Sequence, residues 1–390
     1  MKQALLGASS EVVRDINRRL VLNLIRTRQP LSRADLARHS GLQRSTVSLI
    51  VEDLIAEDWV IEGPTARLPR GRRPTFLHLN EDRVILSIDL RPTQITTAMA
   101  DVNGKFTSQE IFPTPADPHA AVAGIIARLR YIMKTSAGKK IEGVGIALPG
   151  RFDSDTNRLV FAPNLNWPDF DLAGPIAEAT GLDVVMENAA NACVLAAAWF
   201  HNQNGAKDLV VLTVSEGIGA GLFVNGALAR GYRGMAGEFG HVPIDGSGPL
   251  CGCGSRGCWE VFGSNRAALR YYSEDSGRDA GISFIDLLAL AGENDQNAIR
   301  ALDRMAQYLG RGMRLIVAGL APERIIVIGD LTRSWARFGP IIEAEVQAQV
   351  LPGGVAPEIT PAHEDGLARL RGTVALVLQK HFGASSEVPA

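Results

Sequence analysis

What the chain lacks narrows it first. No run among its 390 residues approaches the roughly eighteen uninterrupted apolar positions of a membrane span. Nothing at the N-terminus has the order of a secretory leader, so no oxidising compartment is implied and a cytoplasmic location is expected. No segment repeats at solenoid spacing. Cysteine is scarce: three of the 4 residues, Cys251, Cys253 and Cys258, fall close together and Cys193 lies far upstream. Neither sign of charge dominates, with 40 Lys and Arg against 42 Asp and Glu.

What is present describes a soluble globular chain, 46% hydrophobic and 21% charged, long enough for two or three domains. Its balanced charge conceals an asymmetry. Residues 1–80 hold 13 Lys and Arg against 8 Asp and Glu, a net of +5, which leaves 27 against 34, a net of −7, for the rest. A basic head on an acidic body points to a polyanion partner for the head alone.

The densest chemistry lies between Gly237 and Glu260, GEFGHVPIDGSGPLCGCGSRGCWE. Thiolates and imidazole are ligands that zinc prefers, and His241 with Cys251, Cys253 and Cys258 makes a closed set of four at short loop spacing. That pattern predicts a structural zinc site. A disulfide and three unrelated thiols are the competing readings, but a Cys-x-Cys pair hardly closes on itself without strain. Glu238 and Glu260 bracket the loop, so ordering it would hold two carboxylates near one imidazole. Fixed acceptors of this kind suit the hydroxyls of a polyol.

The head reads as helices. Val12, Ile16, Leu20 and Ile25 recur at helical spacing over residues 12–25, Ser32 can cap a short helix at 33–38, and the period resumes from Gln43 to Ala56 after the turn Ser40-Gly41-Leu42. This is a helix-turn-helix pattern. Gln43, Arg44, Ser45, Thr46 and Ser48 open the second helix of the pair and can reach base edges and phosphates in a major groove. Two short strands, 59–61 and 75–79, flank a wing carrying Arg70, Gly71, Arg72 and Arg73. An extended Arg-Gly-Arg segment fits a narrow minor groove; a basic linker touching phosphate without specificity is the alternative. From Val84 onward strands (84–90, 95–100, 143–148, 184–186, 209–214, 219–224, 325–328) alternate with helices (120–135, 191–201, 265–272, 296–318, 367–379), an α/β pattern. The tail after His381 is expected to be disordered.

Glu238-Phe239-Gly240-His241 and Cys251-Gly-Cys-Gly-Ser-Arg-Gly-Cys258-Trp-Glu260 together resemble the signatures of the ROK family of sugar kinases and sugar-responsive repressors, a resemblance running from about residue 84 to the C-terminus. It implies a two-lobed actin-like ATPase fold with a cleft between related halves, behind an N-terminal winged helix-turn-helix. It implies domains at 1–80 and 81–390, a zinc shared by the histidine and three cysteines, and a monosaccharide held by Glu238, His241, Glu260 and Asn188 with loops at Gly150 and Asn164. The Arg-Gly-Arg segment also resembles the wing of ROK repressors.

The nucleotide motifs depart from the family's kinases. Their catalytic aspartate corresponds to Ala189 in Glu187-Asn-Ala-Ala-Asn191, which accepts no proton. The first phosphate loop reads Asp89-Leu-Arg-Pro-Thr93, the second Ser215-Glu-Gly-Ile-Gly219, and the adenosine-site glycine pair is Gly329-Asp330. The expectation is a DNA-binding regulator with a sugar-binding core and no use of ATP or Mg²⁺, binding a palindromic operator as a homodimer or tetramer. Alternatives are an active sugar kinase with an appended DNA-binding head, and a core that reads a regulatory protein instead of a sugar.

Overall fold

The computed structural model describes residues 10–65, 75–153, 158–162, 165, 167–201, 205–277, 281–348, 353–362 and 366–383. Two compact units divide the chain, Met1–Glu187 with Thr373–Ala390, and Asn188–Gly372.

The first unit begins with α1 (Ser10–Arg28), β1 (Leu31–Ser32), α2 (Arg33–Ser40), α3 (Arg44–Ala56), β2 (Val60–Thr65) and β3 (Thr75–Leu79). Ser32 caps α2 as expected. Its hydroxyl accepts from the Asp35 amide while the Asp35 carboxylate accepts from the Ser32 amide, so two otherwise orphaned donors are satisfied reciprocally. β2 and β1 pair with opposite edges of β3. The three helices bury Val21, Leu22, Ile25, Leu36, Val47, Val51 and Leu54. One expectation for α1 fails: Val12, Val13 and Ile16 are exposed, and the buried stripe starts only at Val21. Arg14 and Arg18 instead tie this half of α1 to Asp53 of α3 and to Glu57 just past its end, so ion pairs replace burial along its first turns.

The rest of the unit is a sheet of β4 (Arg83–Leu90), β5 (Gln94–Asp101), β6 (Phe106–Pro113) and β7 (Lys140–Leu148), closed at one edge by β11 (Val184–Asn188). Between β6 and β7 runs α4 (Pro118–Thr135). A small sheet of β8 (Arg151–Asp153), β9 (Arg158–Phe161) and β10 (Phe170–Asp171), then α5 (Ala173–Thr180), precede β11. β4 pairs antiparallel with β5 and parallel with β7.

The second unit contains α6 (Ala189–Phe200), β12 (Leu209–Val214), β13 (Ile218–Val224), β14 (Ala227–Leu228), α7 (Glu260–Gly263), α8 (Asn265–Ser276), α9 (Phe284–Gly292), α10 (Gln296–Leu320), β15 (Arg324–Ile328), α11 (Trp335–Gln347) and β16 (Glu358–Pro361). Its sheet order, β14-β13-β12-β15-β16, repeats β6-β5-β4-β7-β11 of the first, with the antiparallel and parallel neighbours in the same places. Two related halves were expected, and the strand order shows them. α11 escaped the sequence reading because Gly339-Pro340 reads as a helix breaker. The helix nevertheless passes through Pro340, since Phe338, Ile342 and Val346 are buried at helical spacing.

α12 (Ala368–Phe382) ends the described chain. Its last turn joins the helical head to the rest of the first unit: Asn23 Nδ2 donates to the Phe382 carbonyl at 2.8 Å, and the Trp59 ring meets those of His381 and Phe382. Arg83 completes the joint. Its guanidinium lies 3.8 Å over the Trp59 ring, donates to the Asp58 carbonyl and pairs with buried Glu142, which also meets His381 at 3.1 Å. Burial raises the Glu142 carboxyl, but the His381 hydrogen bond and the Arg83 charge outweigh it and hold the group below its ordinary value.

Candidate functional site

The loop between β14 and α7 is almost free of regular structure. It holds two 3₁₀ turns, Tyr232–Gly234 and Glu238–His241, and two isolated bridges, Pro243 to Cys258 and Leu250 to Arg256. What fixes its end is Trp259, fully buried, whose indole N–H donates to the Tyr308 carbonyl of α10 at 2.8 Å. The ring lies so close to α10 that a Cβ on Gly312 would meet it at 1.9 Å, so only glycine admits this anchor. Cys258 and Glu260, its two neighbours, are thereby placed.

All four cysteines are free, which removes the disulfide reading. The Sγ atoms of Cys251, Cys253 and Cys258 and a ring nitrogen of His241 lie within 4.8 Å of one another, a group that could hold a metal ion. Two separations test the fit. Cys253 Sγ is 3.6 Å from Cys258 Sγ, and Cys251 Sγ is 3.5 Å from His241 Nδ1. For a metal about 2.3 Å from sulfur, the edge of a tetrahedron is about 3.8 Å, and these two separations come close to it. Burial pushes the Cys251 and Cys258 thiols up, whereas the Ser255 backbone N–H draws Cys253 down to about 7.

Both flanking carboxylates converge on the same ring. Glu260 Oε1 is 3.5 Å from His241 Nδ1 and accepts from the Cys251 thiol at 3.0 Å, while Glu238 Oε2 is 3.9 Å from Nε2. Cys251 and Glu260 thus face one ring nitrogen and Glu238 the other. A Cβ on Gly217 would meet Glu260 Oε2 at 2.5 Å, so the second glycine-containing loop lies against this acceptor. Asn188, in the same unit, uses Oδ1 to cap α6 at the Ala190 amide, 2.8 Å away. Gly150 follows β7 in the other unit with φ of 85°, and Asn164 lies outside the described residues.

In the stretches that depart from the kinase motifs, each of three acids lies beside an arginine. Arg91 Nε lies 2.6 Å from the Asp89 carboxylate, itself buried. Arg266 Nε lies 3.2 Å from Glu216, and Arg333 Nε is 3.5 Å from Asp330. Ala189 is the buried first residue of α6. The sequence located these residues but did not show that each acid has its own arginine.

On the head, Gln43, Arg44 and Ser45 are exposed and Thr46 and Ser48 half-exposed along the start of α3. Gln43 caps α3 without a side-chain hydrogen bond, so the positive end of this helix remains for an anion such as phosphate. Leu49, 64% exposed on the same helix, was missed because an apolar residue in a helical stripe reads as core. It can contact a thymine methyl. The wing residues Arg70, Gly71, Arg72 and Arg73 lie outside the described residues.

Comparison with known proteins gives this geometry a context. The winged helix-turn-helix DNA-binding model matches residues 14–61, and the ROK family model matches residues 85–380. The xylose repressor of Bacillus spizizenii is 31% identical over 380 residues, covering 96% of this chain and 98% of that protein. A crystal structure of a ROK family transcriptional regulator, described as a homologue of the E. coli MLC protein, superposes with a TM-score of 0.82 at 25% identity, over 96% of this chain and 98% of the other. A ROK family glucokinase from Streptomyces griseus, solved with glucose and AMPPNP, reaches 0.65 at 28% identity, over 76% of this chain and 99% of its own. The regulator matches head and core together, whereas the kinase matches a share of the chain comparable to the core alone. The chain belongs to the ROK family, with a winged helix-turn-helix preceding its ROK domain.

Proposed function

We propose that this chain is a sugar-responsive DNA-binding repressor of carbohydrate uptake or catabolic genes, acting in the cytoplasm as a homodimer or tetramer. Residues 1–80 bind the operator and residues 81–390 bind the effector and dimerise. One observation carries the reading: a metal-type donor set and two sugar-type acceptors share a single histidine, His241, in a chain that also bears a winged helix.

The metal is zinc, held by Cys251, Cys253, Cys258 and His241, and it orders the loop without taking part in chemistry. Glu238 and Glu260 accept from hydroxyls of the monosaccharide, His241 and Asn188 complete its polar contacts, and the loops at Gly150 and Asn164 close over the ring. Arg44 and its neighbours Gln43, Ser45, Thr46 and Ser48 enter a major groove, with Arg70, Gly71, Arg72 and Arg73 in the adjacent minor groove. The relative named a xylose repressor supports a pentose as the first effector to test.

Phosphoryl transfer is not part of this function. Ala189 supplies no base, Asp89 is paired with Arg91 of its own loop, and Glu216 of the second loop is paired with Arg266 of α8, so neither loop offers the open backbone cradle of a phosphate site. No ATP-dependent phosphorylation of xylose or glucose is expected; turnover abolished by Glu238→Ala would establish the kinase reading instead.

The decisive test is the affinity of the purified protein for its own upstream DNA, at fixed salt, with and without a panel of monosaccharides and their phosphates. Salt is held constant because phosphate contacts make any affinity drift with ionic strength. A tenfold change with one sugar, about 1.4 kcal/mol of coupling, supports the reading and names the effector. Tight DNA binding indifferent to every sugar overturns the effector half.

A further inference from the structure

The outward face of α3 is centred one to two turns beyond the polar residues that open the helix. Val47, Ile50, Val51 and Leu54 turn toward the core of the head and are at most 5% exposed. Ser45, Leu49, Glu52 and Ala56 recur at i, i+4, i+7 and i+11, and all four are exposed. At about 100° per residue this row lies opposite the buried one. Thr46 and Ser48 are only half-exposed, so they stand at the margins of the face and not at its centre.

The row has an unusual composition for a helix that meets a polyanion. Its centre carries an aliphatic side chain, Leu49, and a carboxylate, Glu52, and no cation. Two other acids are placed differently. Asp53 pairs with Arg14 at 2.7 Å and Glu57 pairs with Arg18, both on the side of α1, whereas Glu52 lies on the outward row. Leu49 gains nothing from phosphate and Glu52 repels it, so both side chains gain only from base edges.

The major groove offers a partner for each. Thymine presents a C5 methyl, which suits an apolar side chain, and cytosine presents its N4 amine, which donates to a carboxylate. Glu52 follows Leu49 by three residues, about 4.5 Å along the helix axis. That advance is close to one base-pair rise, about 3.4 Å.

We infer that Leu49 and Glu52 set the operator specificity of this chain. Leu49 packs on a thymine methyl, and Glu52 accepts from the N4 amine of a cytosine in an adjoining base pair. The inference rests on the operator-binding half of the proposed function and names the base pattern which that site reads.

Footprinting of the full chain on its own upstream DNA supplies the duplex, and fluorescence anisotropy at fixed salt, without sugar, reads its affinity. Replacing thymines by uracil one at a time removes the C5 methyl and leaves the hydrogen-bonding groups of the base pair in place. At one position uracil is expected to weaken binding about fourfold, equivalent to about 0.8 kcal/mol for one buried methyl group. With Leu49→Ala the same replacement should cost less than about twofold. At the adjoining cytosine, exchange of C·G for T·A turns the N4 donor into the O4 acceptor, and should cost about tenfold with the unsubstituted chain but less than about threefold with Glu52→Ala. Both side chains are exposed, so neither variant opens the core, and the uracil series needs no variant at all. A uracil series without effect, a methyl effect that survives Leu49→Ala, or a cytosine preference that survives Glu52→Ala would overturn the assignment. A chain that leaves no footprint overturns the operator-binding half of the proposed function together with this inference, whereas a footprint blind to every methyl group overturns this inference alone.

Discussion

The winged head and the His241 loop reach order by opposite routes. The head is made of regular elements whose buried stripe, from Val21 to Leu54, supplies its own driving force, with a capping box at Ser32 and ion pairs along α1. Between Gly237 and Glu260 there is one 3₁₀ turn, two isolated bridges and an anchor at Trp259. Such a segment buries too little to offset its conformational entropy unaided. Four convergent donors that could hold a metal ion lie in the segment, and under the proposed function the metal supplies what packing does not. The difference predicts that sensing and DNA binding fail separately: loss of the metal would remove order from the loop while leaving the head's core intact.

Cys258→Ser is the strongest way to break that comparison. It removes a fully buried ligand adjacent to the Trp259 anchor. Structural zinc in small peptide domains contributes about 10–16 kcal/mol, so loss of one ligand is expected to empty the site. Metal content per chain should fall to near zero by mass spectrometry, and the sugar-dependent change in operator affinity should vanish. Affinity without sugar should stay within about twofold. A variant that loses operator binding to the same degree would show that the head depends on the loop after all.

Next in size is Arg83→Met, which attacks the joint that holds the head. Arg83 and Glu142 have side chains only 4% and 7% exposed. Removing one member of a buried pair leaves the other charge uncompensated, at a cost of about 3–5 kcal/mol. The double variant, Arg83→Met with Glu142→Met, should recover part of that loss, because no buried charge then remains. Urea denaturation followed by far-ultraviolet circular dichroism reads both. A double variant less stable than either single would reject the uncompensated-charge account.

Much of this molecule was legible beforehand, for identifiable reasons. Helices α2 and α3 were found because period, Ser32 and Gly41 agree on their ends. The metal group was found because His241 and the three cysteines lie close in sequence as well as in space. The Trp59, Arg83, Glu142 and Phe382 joint was invisible because its members come from four distant segments, and no local pattern marks a long-range cation–π contact or ion pair. α11 was hidden by Pro340, where burial of Phe338, Ile342 and Val346 overrides the local penalty. The exposed half of α1 misled in the other direction, since periodicity shows which face is apolar but not whether anything covers it. In the acid loops, Asp89 and Glu216 could be read as departures, yet their arginine partners, Arg91 and Arg266, could be paired with them only in three dimensions.

The smallest effect sharpens the comparison inside the head itself. Ser32→Ala removes one half of the capping box and is expected to cost about 1 kcal/mol at neutral pH. The pH dependence tells whether the box is the cause. Hydrogen bonds from the Ser32 side chain and backbone hold the Asp35 carboxyl below its ordinary value, outweighing a smaller upward push from burial. A carboxyl depressed in the folded state contributes stability that is present above its unfolded value, near 3.9, and is lost as pH falls through the folded value. Ser32→Ala returns part of that depression, so the gap between the two proteins should stay constant from pH 7 to about pH 4.5 and narrow below that, as Asp35 takes up a proton. Thermal unfolding of both chains across this range reads the gap, and carbon NMR of the Asp35 carboxyl reads its titration directly. A gap that does not change with pH would assign the loss to the α2 terminus alone and not to the reciprocal pair.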